Sequence, residues 1–561
     1  MKKLRWQILI ITITLVIVGV LLVTQEPGQQ IFLPQPATGG VYSEALVGSI
    51  SRLNPLLEQN NASDRDVNRL LFSSLLRFDG QGLPVTDLAD SWGVSQDGTI
   101  YNISLRQNAF WHDGQPVTSD DVLFTIEMIK DDSSFFAPDV RELWKKVEIK
   151  KLNERTLQFL LPEPFAPFLD YLTFGIVPRH ILESIPAPEM AAAPFNLSPI
   201  GSGPYKFDRL IVENGQVTGL ELSIFARYYG TKPFIEKVVF RYYPNSQVAL
   251  AAYREGEVQA ISEISLDVLN QALAIPSLSV YTGRLPEMSM VLFNLNNPEK
   301  PFFQDENLRR ALLMSLNRQR IVDRLLLGQG ILADGPIFPG TWAYFDGIER
   351  VVYDPEAAVN LLKINGYAIP AEGGTVRADK NGVLLSFTLL HPDDALHSAI
   401  AQFILENWRE IGVEVVLEAL PYEQLVNDRL VGRNYDAALI DMSLARTPDP
   451  DPYPFWHQSE AAGGQNYAQW DNRTASEFLE QARINTDNSV RTRLYRNFQV
   501  VFAKELPALP LFYPVYSYAV DQQVLGVQVP PLFDSSDRFQ TFARWYLVTK
   551  RAPEATIEIQ E

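Results

Sequence analysis

Between Leu384 and Asp441 the apolar and polar positions change period in a regular rhythm. Leu384 to Leu390 is a short apolar run of strand length. Asp393 or Asp394 then offers a helix cap. Leu396, Ile400, Phe403, Ile404, Trp408 and Ile411 follow at helical spacing, and Gly412 stands where a left-handed residue ends a helix. Val413 to Leu420 returns as a strand, about Tyr422 to Val431 as a second helix, and Tyr435 to Asp441 as a third strand. This β-α-β-α-β order predicts a parallel sheet with right-handed crossovers. Ligands of such sheets sit off the carboxyl ends of the strands, so the segment after Asp441 is a candidate site on geometry alone. Asp305 to Leu327 reads as two helices, one capped by Asp305 with Leu308, Leu312 and Leu316 inward, the other capped by Asn317 with Ile321 and Leu325 inward. In the first half, Asp97-Gly98 and Asp113-Gly114 are turn signals, and Thr118 with Asp121 caps a helix ahead of Val122, Leu123 and Phe124.

The ends of the chain carry a different pattern. Lys2, Lys3 and Arg5 precede an apolar run from Ile8 to Val23, which as a helix spans about 24 Å against a bilayer core of about 30 Å. The exit, Leu22-Val23-Thr24-Gln25-Glu26-Pro27, lacks the small residues of a signal-peptidase site. Residues 1–24 are therefore read as an uncleaved transmembrane anchor, with the charged end cytoplasmic and the rest of the chain outside the cell membrane; if the segment is cleaved, the product is periplasmic or secreted. Residues 25–40, rich in Gln, Pro and Gly, read as a linker, and 550–561 as a polar tail.

The remainder has ordinary globular composition, 46% hydrophobic and 20% charged over 561 residues. Its net charge of −19 gives no basic face, which argues against a nucleic-acid partner. There are no cysteines, so disulfides, thiolate metal sites and cysteine nucleophiles are excluded, and so is a lipid-anchoring cysteine.

Chemistry-bearing motifs are sparse. There is no Gly-x-Ser-x-Gly elbow, no phosphate-binding Walker loop and no His-Glu-x-x-His. Of His112, His180, His391, His397 and His457, only His391 and His397 are close in sequence, and a spacing of six does not place two ligands on one helix face. No metal and no cofactor is implied. Asp449-Pro450-Asp451-Pro452 resembles a calcium loop at first sight, but Tyr453 occupies a ligand position and no turn glycine follows, so a stiff loop that positions Phe455 and Trp456 is the better reading. A carboxylate pair for glycosidic chemistry is the rival: an exported, glycosidase-like hydrolase with an aromatic cleft. Nothing in the sequence singles out such a pair.

Several segments carry a resemblance, in a shared order from about Gly40 to Tyr546. They are Asp90-Ser-Trp92 through Trp111-His112-Asp113-Gly114 to Asp121; Pro199-Ile-Gly201-Ser-Gly203-Pro204-Tyr205; Asn294 with Pro301-Phe302, Asp305 and Arg309-Arg310-Ala311; Tyr353-Asp354-Pro355-Glu356-Ala357 with Gly366-Tyr367; and Asp449 to Tyr453 with Asn466-Tyr467 and Trp470. Together they resemble the family 5 extracellular solute-binding proteins, the peptide/nickel class serving ABC transporters. The resemblance implies an α/β, two-lobed, hinged fold of the periplasmic-binding-protein kind with an extra inserted subdomain. Lobe I would combine 41–76, 200–285 and 510–549, with the subdomain at 77–199 and lobe II at 286–509. It implies a monomeric binding protein, not an enzyme, which captures a peptide-like or related small solute between its lobes and delivers it to an ABC permease.

In many peptide-binding relatives a carboxylate just upstream of the Asp-Pro pair holds the peptide amine. Here no acid lies between Asp441 and Asp449, and Arg446 stands near that slot. Either Arg446 contacts an acceptor on the ligand, such as a carboxylate or phosphate, or it is a surface charge that pairs with Asp449 or Asp451. Ser49 and Asn54 after the first strand, Met288 and Asn294 near the crossing strand, and Asp449 complete the candidate ligand contacts.

Overall fold

The rhythm read between Leu384 and Asp441 is present in the fold. A computed structural model describes residues 6, 12–18, 32–443 and 449–553. In it Ser386–Pro392 lies between Glu414–Leu420 and Ala437–Ser443 and is parallel to both. The Asp394 carboxylate accepts from the His397 amide to start the Ala395–Glu410 helix, and Gly412 takes φ +84° after its end. The sheet is mixed rather than parallel throughout: Glu287–Phe293 pairs antiparallel with Ala437–Ser443 and carries the sheet onward. The two capped helices appear as Glu306–Met314 and Arg318–Arg324.

One long strand runs through both lobes. Ala508–Asp521 is 14 residues long; its first half pairs with Glu287–Phe293 and Gly330–Leu332, its second half with Leu278–Arg284 and Ala260–Ile261. The sheet continues through Val41–Val47 and Lys237–Tyr243 to the Gln216–Ile224/Tyr205–Glu213 hairpin. The apolar core divides at this strand. Phe512 and Tyr513 pack into a core running from Met288 through Phe502, whereas Tyr518 and Val520 pack with Tyr42, Trp111 and Trp545. A smaller third core of Ala45, Leu250, Ile261, Leu278 and Ala519 lies on the lobe I side, and separate cores on either side of crossing strands make a two-lobed molecule, a common basis for hinged closure.

The inserted segment builds its own four-stranded antiparallel sheet from Ala89–Val94, Ile100–Leu105, Thr156–Leu160 and Glu148–Asn153. The Asp97-Gly98 turn joins its first hairpin, with Gly98 at φ +70°, and Thr118 and Asp121 form a reciprocal capping box. This sheet shares one continuous core with lobe I. Backbone contact makes that possible: a Cβ on Gly201 would lie 1.9 Å from the Leu71 carbonyl oxygen, so only glycine fits.

The linker and tail differ from expectation in part. Phe32–Ala37 pairs antiparallel with Val548–Pro553, from Phe32 opposite Pro553 to Ala37 opposite Val548. Pro34 and Pro36 argue against a central strand, but each strand of a two-stranded ribbon is an edge, where a missing N–H is tolerated. Of the anchor segment only Trp6 and residues 12–18 are described, the latter helical. Among the described residues no helix is long and apolar enough to cross a membrane. The remainder of residues 1–31 and of the tail, and Arg446 with its neighbours 444–448, lie outside the described residues.

Candidate functional site

Where lobe I, the inserted subdomain and the end of the Ala437–Ser443 strand meet, the chain encloses a cavity of about 390 Å³. Ser443 reaches it from lobe II, at the carboxyl end of a parallel strand, the place the sheet topology marks for ligands. Lobe I contributes Arg65, Asn68 and Arg69 from the Ala62–Leu71 helix, and Phe533, Asp534 and Asp537 from the start of the Ser535–Arg544 helical turn. The subdomain contributes Phe136, Trp144, Asp170, Tyr171 and Phe174. Aromatic faces with a few ionic groups are what small-molecule and peptide sites present. A larger hollow of about 730 Å³ near Gln304, Trp470 and Glu505 is polar and belongs to one lobe alone.

Most charges on the cavity wall are already paired. Arg65 and Arg69 meet Asp534 and Asp537, each at 2.9 Å, and Asn68 donates to Glu58 at 2.7 Å. Glu287 is placed differently. It stands directly across the ladder from Ser443, and burial, then the carboxylates of Asp441 and Asp534, push its carboxyl above the usual range. Asp170 accepts the Asp449 N–H at 2.6 Å. Burial, then the nearby Asp449 carboxylate, raise its carboxyl well above the ordinary value.

The sequence candidates fall mostly behind this wall. Ser49 is exposed, and its carbonyl accepts from Asn61. Asn54 is fully buried; its amide donates to Asn196 and its oxygen accepts from Leu56 N–H. Met288 is fully buried in the lobe II core. Asn294 donates to the carbonyls of Arg433 and Tyr435 and accepts from Gln469, so it pins a turn. Asp449 is buried in an ion pair with Arg491 at 2.6 Å, and its neighbour Asp451 pairs with Arg483 at 2.7 Å. None of these five lines the cavity. Asn54, Asn294 and Asp449 satisfy the fold's own polar groups and Met288 fills the apolar core, roles a motif cannot distinguish from a ligand contact.

The histidines are likewise spent internally. Gly201 N–H donates to His112 Nδ1 at 3.1 Å, and Nε2 meets the Gly203 carbonyl at 3.2 Å, as a neutral ring with one donor and one acceptor requires. Burial lowers this ring to about 4. His397 is the reverse. Nδ1 faces Asp394 at 2.6 Å and Nε2 faces Asp441 at 3.0 Å, while Asp441 also accepts from Ser289. Both nitrogens must donate, so the ring is an imidazolium. Its value is raised: burial opposes the charge, and the two carboxylates outweigh it. Sequence spacing ruled His397 out as a metal ligand and left this role unread.

Comparison with known proteins follows this architecture. The model of the family described as "Bacterial extracellular solute-binding proteins, family 5 Middle" matches residues 84–465. "Oligopeptide-binding protein AppA" of Bacillus subtilis (strain 168) is 26% identical over 520 residues, covering 91% of this chain and 92% of the relative. The "Dipeptide-binding protein" of Escherichia coli (strain K12) is 26% identical over 506 residues, covering 86% and 91%. Among solved structures, NikZ from Campylobacter jejuni in complex with Ni(L-His) is similar at 25% identity with a TM-score of 0.68, covering 90% of this chain and 99% of its own. HbpA2 from Haemophilus parasuis, at 20% identity, shares the fold with a TM-score of 0.76, covering 89% and 99%. The family is one of transport receptors rather than enzymes, and the hydrolase alternative gains no support from it. With a family model that matches residues 84–465, more than half of its 561 residues, the chain belongs to the bacterial extracellular solute-binding proteins of family 5.

Proposed function

We propose that the chain captures a peptide-like solute in the cavity where lobe I, the inserted subdomain and Ser443 meet, and delivers it to the permease of an ABC importer. The observation that carries this is the wall itself: half-buried aromatic side chains at Phe136, Tyr171 and Phe174, set among charges that are largely paired already. Such a wall suits apolar side chains, with polar contacts concentrated at a few points. The curated relatives named for oligopeptide and dipeptide binding support peptide as the solute class. In this reading the protein is a monomer held outside the cell membrane by residues 1–24, the open form samples closure about the crossing strands, and the solute shifts the population to closed. Arg446 contacts an acceptor on the solute. Native mass spectrometry of the protein purified gently from its own host tests the proposal. A stoichiometric adduct of peptide mass, released intact on denaturation, is the expected result. An adduct of another class, or turnover of the solute, would overturn it.

A further inference from the structure

The inserted subdomain touches lobe II at one charged junction on the cavity wall. Asp170, in the Ala166–Leu172 turn, accepts the Asp449 N–H at 2.6 Å, and both residues are buried. The cations there are committed. Arg491, from the Asn488–Glu505 helix, pairs with Asp449 at 2.6 Å and donates to the Ala482 carbonyl. Arg483, from the Arg473–Ile484 helix, binds Asp451 with Nε and a terminal nitrogen at 2.7 to 3.0 Å. Tyr495 also faces Asp449, and Tyr171 flanks Asp170 on its own turn, with Asp139 of the Pro138–Lys146 helix beyond it.

Two arginines therefore neutralise two aspartates, and a third carboxylate remains. Among the described residues no cation forms an ion pair with Asp170, and Arg491, whose charge reaches it, is held by Asp449. A buried carboxylate without a cation, next to another carboxylate, keeps its proton. As a neutral acid Asp170 can accept the Asp449 N–H without repelling the Asp449 carboxylate.

We infer that Asp170 is a positioning residue: protonated, it ties the inserted subdomain to lobe II at the wall of the solute cavity, and on ionising it loosens that tie and weakens solute binding. The proton goes to solvent; the ionised carboxylate accepts more strongly from the Asp449 N–H, but its charge then faces the Asp449 carboxylate, and that repulsion is the larger effect. The part concerning solute rests on the cavity being the binding site, as proposed above.

Two variants of the full chain in detergent test this, Asp170→Asn and Asp170→Ala. Asparagine offers the same acceptor oxygen without charge, whereas alanine removes it. Calorimetric titration uses a panel of tripeptides with apolar side chains, and thermal unfolding is followed without peptide, both from pH 6 to 9. The parent's affinity is expected to fall ~10-fold for each pH unit above the Asp170 midpoint. D170N stays flat, and D170A is weak throughout. A parent and D170N with the same pH profile would overturn the inference. If no peptide binds the parent, the peptide reading falls and unfolding decides alone. An alkaline loss of Tm in the parent that D170N makes smaller, by a part independent of His397, supports the tie, and equal profiles overturn it.

Discussion

The guanidinium of Arg538 grips the carboxylate of Asp66 with two parallel hydrogen bonds, at 2.6 and 2.8 Å, where no solvent reaches it. Its Nε also donates to Glu44 at 3.0 Å, and Glu44 accepts from Tyr42 as well. The three charged residues come from the Val41–Val47 strand, the Ala62–Leu71 helix and the Ser535–Arg544 helical turn, so a discontinuous lobe is closed by one cation. Removing one member of a buried network strands the others. Arg538→Ala is therefore expected to destabilise lobe I by about 3–5 kcal/mol in chemical unfolding. Unchanged stability would show that the two carboxylates bind protons at little cost.

His112 fixes the junction of lobe I and the subdomain only as a neutral ring. Its value of about 4 in the fold lies below the ordinary histidine value. The unfolded chain thus takes up a proton first on acidification. Stability from this group is complete above about pH 6.5 and is lost as pH falls toward 4, on the order of 3 kcal/mol in all. His112→Gln, which keeps a donor and an acceptor, should remove that acid-side slope in Tm. Gly201→Ala should not fold stably, because its Cβ would overlap the Leu71 carbonyl.

Much of this fold was legible in sequence because its signals are local. The Asp394 cap, the Gly412 stop, the Thr118–Asp121 box and the Asp97-Gly98 turn each act within four residues of their own position. The Phe32–Ala37 ribbon was not legible, since its partner lies at the far end of the chain and its prolines read as a tether. The cavity was less legible still. Sequence led to the end of the sheet beside which the cavity lies, through the Asp436–Asp441 strand that ends at Ser443, but not to Phe136, Tyr171 or Phe533, which are ordinary aromatics until folding brings them together. Asp449 and Asn294 show the opposite difficulty: they are conspicuous in motif, and in the fold their polar groups are met by Arg491 and by the Arg433 and Tyr435 carbonyls.

Phe136 offers a direct test of the wall. It is half-buried, lines the cavity and packs on the subdomain side of it. Truncating an aromatic contact in a desolvated site costs on the order of 2 kcal/mol of binding, or roughly 30-fold in Kd. Phe136→Ala should show that loss for tripeptides in calorimetry, with a Tm shift of only a few degrees. Retained affinity would place the solute elsewhere.

Arg446 is tested by charge reversal as well as by removal. If it holds an acceptor on the solute, Arg446→Ala should lower affinity roughly 10- to 100-fold for a peptide with a free carboxylate and have little effect on the same peptide amidated at that end. Arg446→Glu should exclude the free acid altogether. Equal affinities for both peptide forms in parent and variants would leave Arg446 a surface charge.

His397 should make lobe II respond to pH in the direction opposite to His112. Its ring donates to Asp394 from one nitrogen and to Asp441 from the other, and Asp441 in turn holds Ser289 of the crossing strand. The folded value is raised, so the stabilisation is complete below about pH 6.5 and is lost as pH climbs from there through the folded value. Above it two carboxylates face a neutral ring that can donate to only one of them. His397→Gln lacks the charge at every pH. It should be less stable than the parent by about 1 kcal/mol at pH 6, with the gap narrowing at pH 9. Asp170 sits on the subdomain and contributes its own alkaline loss, so the D170N and H397Q effects on Tm should add in the double variant. A gap between parent and H397Q that stays constant from pH 6 to 9 would mean that the imidazolium is not what joins the helix start to the strand end.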